Sequence, residues 1–197
     1  MGEREEILRR APPALLLLAT LAGPAAAQTV AWPELEGLVV QAEITRQQVA
    51  QRQKTFEQRV HDVIKISIEP GDFIDYSITT TVHGPGGTTK LDPAGALYRL
   101  NVVRHIAGGG RGAGAGDALW TFADGTLSFL RTYPAGARRH TIAFARDSTG
   151  LKCTASTAFA REDGSGPVRI QAPDGQFTTI LRFTPLSSQC KVFERKN

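Results

Sequence analysis

Residues 118–133 read ALWTFADGTLSFLRTY, and this stretch decides the fold. Ala118, Trp120 and Phe122 alternate with Leu119, Thr121 and Ala123; Asp124-Gly125 follows at once, and Leu127 and Phe129 share a face on the return. Period-two alternation marks a half-buried strand, because successive side chains leave a strand on opposite faces. Asp-Gly between two such runs is the pair a two-residue type I′ hairpin needs, since both central positions take positive φ. The pattern continues beyond the hairpin. Pro134-Ala135-Gly136 breaks the chain, and Arg138–Arg146 places His140, Ile142 and Phe144 on one face. Asp147-Ser148-Thr149-Gly150 turns it again, and Leu151, Cys153, Ala155, Thr157 and Phe159 keep step along the next run.

Upstream, Trp32-Pro33-Glu34 suits a first helical turn that Gly37 ends. Leu38, Val40, Ala42 and Ile44 make a first strand. Arg46–Arg59 is polar and glutamine-rich around Val49 and Phe56, and reads as an exposed helix, a long hairpin tip or a strand twisted out of the core. Val60–Glu69 carries Ile64, Ile66 and Ile68 in alternation, Pro70-Gly71-Asp72 turns, and Phe73–His83 aligns Ile74, Tyr76, Ile78, Thr80 and Val82. His83–Gly95 reads as a loop, Leu97–His105 as a strand, and Ile106–Gly116 as a glycine-alanine connection around Arg111. Downstream come a turn at Glu162–Pro167, a short strand at Val168–Ala172, a hairpin turn at Pro173-Asp174-Gly175, and strands at Gln176–Phe183 and Gln189–Arg195. Short strands at this spacing, with no repeat, predict a single all-β antiparallel domain of roughly 8–11 strands, an up-and-down barrel or a strongly twisted sandwich.

The N-terminus reads as a processing signal. Ala14–Ala22 is apolar but shorter than the roughly 20 residues a spanning helix needs. Ala25-Ala26-Ala27 fits the small-x-small cleavage rule. Residues 1–27 are therefore expected to be a cleaved signal peptide and 28–197 the mature domain, periplasmic or secreted. The n-region is barely positive, with Arg4, Arg9 and Arg10 offset by Glu3, Glu5 and Glu6. No later apolar run is long enough for a transmembrane helix. In an exported chain the two cysteines, Cys153 and Cys190, predict one disulfide. Apolar residues at 41% and charged residues at 21% are ordinary globular usage, which excludes a disordered chain.

The net charge of +4 is uneven, with 8 Lys/Arg against 9 Asp/Glu over residues 28–110 and 12 against 7 from Arg111 onward. Arg131, Arg138 and Arg139 lie near Phe129, Tyr133 and Phe144, a basic patch suited to an anionic glycan or lipid headgroup. An exported protein seldom meets nucleic acid, so none is expected as a partner. The simpler reading is that arginine fills solvent positions, as in a chain translated from GC-rich codons.

Motifs for catalysis do not assemble. Gly110-Arg111-Gly112-Ala113-Gly114-Ala115 satisfies a loose G-x-G-x-x-A string, yet a strand follows where a dinucleotide site needs a helix. His61, His83, His105 and His140 are too scattered for a metal motif, and two cysteines with no nearby histidine make no zinc site. Ser165 lacks the nucleophile-elbow frame. Asp72 with Asp75, and Glu162 with Asp163, sit in or beside turns, where acids cap backbone amides. No catalytic residue, metal or cofactor is therefore assigned.

The layout resembles that of the calycins, the lipocalin-type barrels. Trp32 just precedes the first strand, Leu38–Ile44; a meander follows, and Cys190 near the C-terminus is placed to reach back to Cys153. The resemblance covers most of the mature chain and implies an exported barrel. Closing a sheet hides edges that would otherwise recruit other chains, and a barrel of about eight strands holds either packed side chains or one small ligand. Two functions follow as expectations. One is a binding module for a small hydrophobic ligand, lined by Ile64, Ile66, Tyr76 and Ile78 from one half of the chain and Trp120, Phe122, Phe129 and Phe144 from the other. The alternative is an envelope-associated interaction protein with a solid core and a basic outer face, whose binding would weaken with salt.

Overall fold

The Asp124-Gly125 hairpin forms as its sequence requires: Ala123 pairs with Thr126, and the two residues between take φ of 48° and 70°. The computed structural model describes residues 28–91, 93–105, 117–133, 136–161, 166–171 and 176–195. In chain order the elements are β1 (Gln28–Thr29), a 3-10 turn (Trp32–Leu35), β2 (Leu38–Gln51), β3 (Thr55–Glu69), β4 (Phe73–Gly84), β5 (Gly87–Lys90) and β6 (Ala94–Arg99). They continue with β7 (Arg104–His105), β8 (Asp117–Ala123), β9 (Thr126–Tyr133), β10 (Gly136–Asp147), β11 (Gly150–Ala160), β12 (Val168–Gln171) and β13 (Phe177–Glu194). The fold is all-β.

Two antiparallel sheets share one hydrophobic core. In the 7-stranded sheet the order is β12-β13-β2-β3-β4-β5, with β6 also on β4; in the 6-stranded sheet it is β1-β10-β9-β8-β7, with β11 also on β10. The long strands thus lie in chain order, β2-β3-β4-β6 and then β8-β9-β10-β11, before β13 returns to β2. This is an up-and-down meander curled into a barrel-like sandwich. At two seams the sheets meet without a continuous ladder. At one, Asn101 N donates to Trp120 O at 2.8 Å, just after Leu100 N donates to Asp72 O at 2.8 Å. At the other, Cys153 of β11 is bonded to Cys190 of β13, with Cα atoms 5.5 Å apart, and Ser188 Oγ donates to Ala155 O at 2.5 Å. The expected disulfide therefore holds together the edge that backbone pairing leaves open. Nearby, Gly136 takes φ of 129°, and a Cβ there would lie 2.8 Å from Val168 Cγ1 and 2.9 Å from the Ala160 carbonyl oxygen. Only glycine lets β12 pack so close to the start of β10.

The first turn plugs one end. Val30 and Leu35 are buried, the Trp32 ring meets Phe122 at 5.3 Å, and Gly37 N donates to Ile68 O at 2.8 Å. Glu34 and Arg146 form an ion pair at 2.9 Å across the same end.

Several expectations change in detail. Arg46–Arg59 is neither a helix nor a stray strand: β2 and β3 stay paired from Val39↔Ser67 out to Gln51↔Thr55, which makes it the long hairpin tip. The expected loop His83–Gly95 contains β5 and the start of β6, both paired with β4. The expected strand Leu97–His105 is split, because Asn101 takes φ of 61° and turns the chain between β6 and β7. The two C-terminal strands are one, β13, with irregular register at Ile180/Arg182 and Pro185/Ser187. Pro185 lacks an N–H, yet the ladder to β2 resumes beyond it. The expected signal peptide, the whole glycine-alanine connection Ile106–Gly116, Glu162, Asp163, Ser165 and the turn Pro173-Asp174-Gly175 lie outside the described residues.

Replacing Cys153 and Cys190 together by serine removes a cross-link over 37 residues, and the chain-entropy relation puts the loss at about 3–4 kcal/mol. Urea unfolding of the double variant, compared with the oxidised parent, reads that loss directly.

Candidate functional site: a polar layer inside the barrel

The inner face of each long strand changes character along its length. On β2 the buried row runs Val40, Ala42, Ile44, then Arg46 and Gln48. On β3 it runs backward through Ile68, Ile66 and Ile64 to Asp62. On β10, read from its far end, Phe144 and Ile142 are followed by His140 and Arg138. Register aligns these rows: Ile66 pairs with Tyr76, Ile64 with Ile78 and Asp62 with Thr80, while His140 sits between Phe129 and Thr157. The interior therefore has an apolar half beside the plug and, beyond it, a second half in which these polar groups are joined by the buried apolar Val60, Ala50, Ile180 and Val168.

Between the halves lies an aromatic cluster. Trp120 stacks on Phe129 at 4.7 Å, Tyr76 meets them at 5.3 and 4.8 Å, and Tyr98 lies 5.6 to 6.2 Å from all three. The His140 ring lies 6.3 Å from Phe129 and nearly parallel to it, at 5°. Of the side chains expected to line a ligand, Ile64, Ile66, Tyr76, Ile78, Trp120, Phe129 and Phe144 are buried members of one packed core, and Phe122 is partly buried against it. Tyr76, Trp120 and Phe129 form a floor of packed rings, themselves buried, beside which the polar groups lie.

Above that floor the polar groups fall into two sets. The first is self-sufficient. Arg46 Nη1 forms a close ion pair with Asp62 Oδ2, Arg46 Nε donates to Gln48 Oε1 at 3.2 Å, and Thr80 Oγ1 donates to Asp62 Oδ1 at 2.6 Å. The Arg46 guanidinium also lies 5.3 Å over the Phe159 ring. Burial alone would raise the Asp62 pKa, but the charges of Arg46 and Arg138 and the Thr80 hydroxyl hold it at about 2.

The second set is incomplete. His140 Nδ1 lies 2.7 Å from Thr157 Oγ1, while its Nε2 is enclosed without a partner among the described residues. Tyr76 Oη, Trp120 Nε1 and Arg138 Nε are likewise enclosed with no partner among the described residues. Burial, helped by the Arg138 charge, pushes the His140 pKa well below its usual value, so the ring is neutral near pH 7. Burial pushes the Tyr76 phenol up, so it stays protonated. Each enclosed polar atom left unpaired costs about 1–3 kcal/mol. Groups of this kind, brought together from both sheets, are what a small polar molecule satisfies.

The predicted basic patch divides. Arg138 and Arg131 are register partners with the inner parity of Phe129 and His140, and Arg131 lies 5.5 Å over the Tyr133 ring. Arg139 alone of the three is exposed, on the opposite face. His61 is held near Thr45 at 3.0 Å and Glu43 at 4.0 Å, and exposed His83 bonds Thr88 at 2.8 Å. Among the described residues no three His, Cys, Asp or Glu side chains gather to hold a metal. Sequence reasoning missed Arg46 and Asp62, although the signal was present: Arg46 lies two residues after Ile44, and Asp62 two before Ile64.

Asp62 and His140 set an acid dependence of stability. His140 has a depressed folded pKa, so the unfolded chain binds a proton first and stability starts to fall as pH drops below about 6.5. Asp62 adds a second loss as pH falls from 3.8 through about 2. Urea unfolding between pH 7 and pH 2.5 should show both windows, and His140→Gln should remove only the upper one. Asp62→Leu alone should cost about 3–5 kcal/mol by stranding the Arg46 charge, whereas Arg46→Met with Asp62→Leu should recover most of it.

No family model matches this chain, and no curated protein or solved structure matches it either.

Proposed function

We propose that this protein is an exported small-molecule-binding barrel, whose ligand occupies the polar half of the interior with an apolar face against Tyr76, Trp120 and Phe129. The observation that carries this reading is the set of enclosed, unpartnered polar atoms on Tyr76, Trp120, Arg138 and His140. A barrel that served only as a scaffold would gain stability by filling those positions with apolar side chains. The tightly packed apolar half supports a division of labour in which the apolar core maintains the fold and the polar layer receives the ligand. Export is supported by the leader-like residues 1–27 and by the Cys153–Cys190 disulfide, a bond that persists in oxidising compartments. The inward parity of Arg131 and Arg138 favours the interior over an outer basic face as the place of binding.

Native mass spectrometry of the protein purified from its own host without refolding tests the reading. The expected spectrum shows a mass excess of one small molecule that is lost on denaturation. A bare native mass, together with no ligand-dependent rise in Tm across a small-molecule library, would overturn it.

A further inference from the structure

We infer that the Cys153–Cys190 bond is a redox latch: reduction by a dithiol parts β11 from β13 and admits water to the polar layer, while each sheet stays whole. The latch operates whether or not the interior holds a molecule, and so goes beyond the ligand-binding reading. β11 is paired with β10 along its whole length, from Gly150 to Ala160, and β13 keeps its own ladder to β2 from Thr179 to Glu194. Between β11 and β13 themselves no backbone hydrogen bond runs among the described residues. Side chains tie them instead, in antiparallel order: the disulfide, Ser188 Oγ to Ala155 O at 2.5 Å, and the Phe159 and Phe183 rings at 5.4 Å. Arg46 of β2 lies over Phe159, and Val168 of β12 packs beside Gly136 at the far end of the same edge. Only the disulfide among these ties is covalent; the others are a single neutral hydrogen bond and contacts of rings and apolar groups.

The latch covers the polar layer. In register, Ala155 faces Ile142 and Thr157 faces His140 on one side of the edge; Ser188 faces Ile44 and Pro185 faces Arg46 on the other. Parting the two strands therefore uncovers His140 from one side and the Arg46–Asp62 pair from the other, groups that are enclosed in the latched form. Water then reaches His140 Nε2, which has no partner among the described residues, and its hydration offsets part of the cost of opening. Both cysteines are half-buried, and each adjoins an exposed lysine, Lys152 or Lys191, whose charge favours a thiolate. The exchange balances: one thiolate of the dithiol attacks a protein sulfur and breaks the S–S bond, and its second thiolate resolves the mixed disulfide. The dithiol closes to its own disulfide, two electrons pass to the protein, and two protons complete the cysteine thiols. The opposite seam and the plug hold the sheets meanwhile, through Asn101 N to Trp120 O and the Glu34–Arg146 ion pair.

The test compares the disulfide-bonded protein with the same protein reduced by dithiothreitol and desalted without air. Diethyl pyrocarbonate, which acylates neutral imidazole, is applied to both at pH 7, and labelling is followed peptide by peptide by mass spectrometry, with exposed His83 as internal reference. His140 should be inert in the oxidised protein and labelled about tenfold or more faster in the reduced one, at a rate that low urea barely changes, as a local opening requires. Near-UV circular dichroism and a single cooperative urea transition should show the reduced protein still folded, and reoxidation should restore the inertness. His140 inert in a reduced, folded protein overturns the latch, because the edge then holds without the bond. Labelling that climbs with urea in step with global unfolding, or loss of the cooperative transition on reduction, overturns it too, because the bond then serves the fold as a whole. A bond that dithiothreitol leaves intact in the folded protein overturns it outright. No variant is needed for any of these outcomes.

Discussion

The Arg46–Asp62 ion pair is the interaction on which the polar half of this barrel depends. β2 and β3 are two of the three longest strands, and both must cross from an apolar end to a polar one without losing register. A one-residue slip would send every side chain to the opposite face, so the inner parity persists where the residue type changes. Arg46 and Asp62 occupy that parity because each neutralises the other, with Gln48 and Thr80 taking the remaining hydrogen bonds. An arginine or an aspartate alone at these positions would carry an uncompensated charge into the interior.

That pair also explains why Arg138 stands apart. With Asp62 committed to Arg46, Arg138 makes no ion pair among the described residues. The interior therefore combines a closed ion pair, which serves the fold, with an open set of donors on Arg138, His140, Tyr76 and Trp120. The aromatic cluster separates these polar groups from the core beneath. Trp120, Phe129, Tyr76 and Tyr98 pack ring on ring, so their apolar surface is used in holding the two sheets together, while Tyr76 Oη and Trp120 Nε1 find no partner among the described residues.

Closure of the barrel rests on local devices. Neither seam has a continuous ladder, and each is held by a few contacts: Asn101 to Trp120 on one side, and the disulfide with Ser188 to Ala155 on the other. The plug at Trp32–Leu35 seals one end, and the polar side chains form a layer between that apolar half and the buried Val60, Ala50, Val168 and Ile180. Strength is thus concentrated at the plug and the disulfide edge, away from the polar layer.

Much of the fold was legible in the chain. Alternation at 118–133, 138–146 and 151–159, with Asp124-Gly125 between two runs, is local information, because side-chain period and turn φ depend only on near neighbours. The Cys153–Cys190 bond followed from a count of two. Joining 176–183 to 189–195 was not legible, because a proline and an irregular register interrupt the pattern and only pairing with distant β2 carries the strand through. The polar hairpin tip at 46–59 was ambiguous for the same reason. The candidate site was half legible: Tyr76, Trp120 and Phe129 announced themselves as interior by parity, whereas Arg46, Asp62 and Arg138 looked like solvent residues. The sequence by itself determined which residues alternate and where the chain turns. Only the tertiary structure decided which charged side chains are enclosed and which find a partner, because a charge is tolerated inside according to what a strand from elsewhere in the chain places against it.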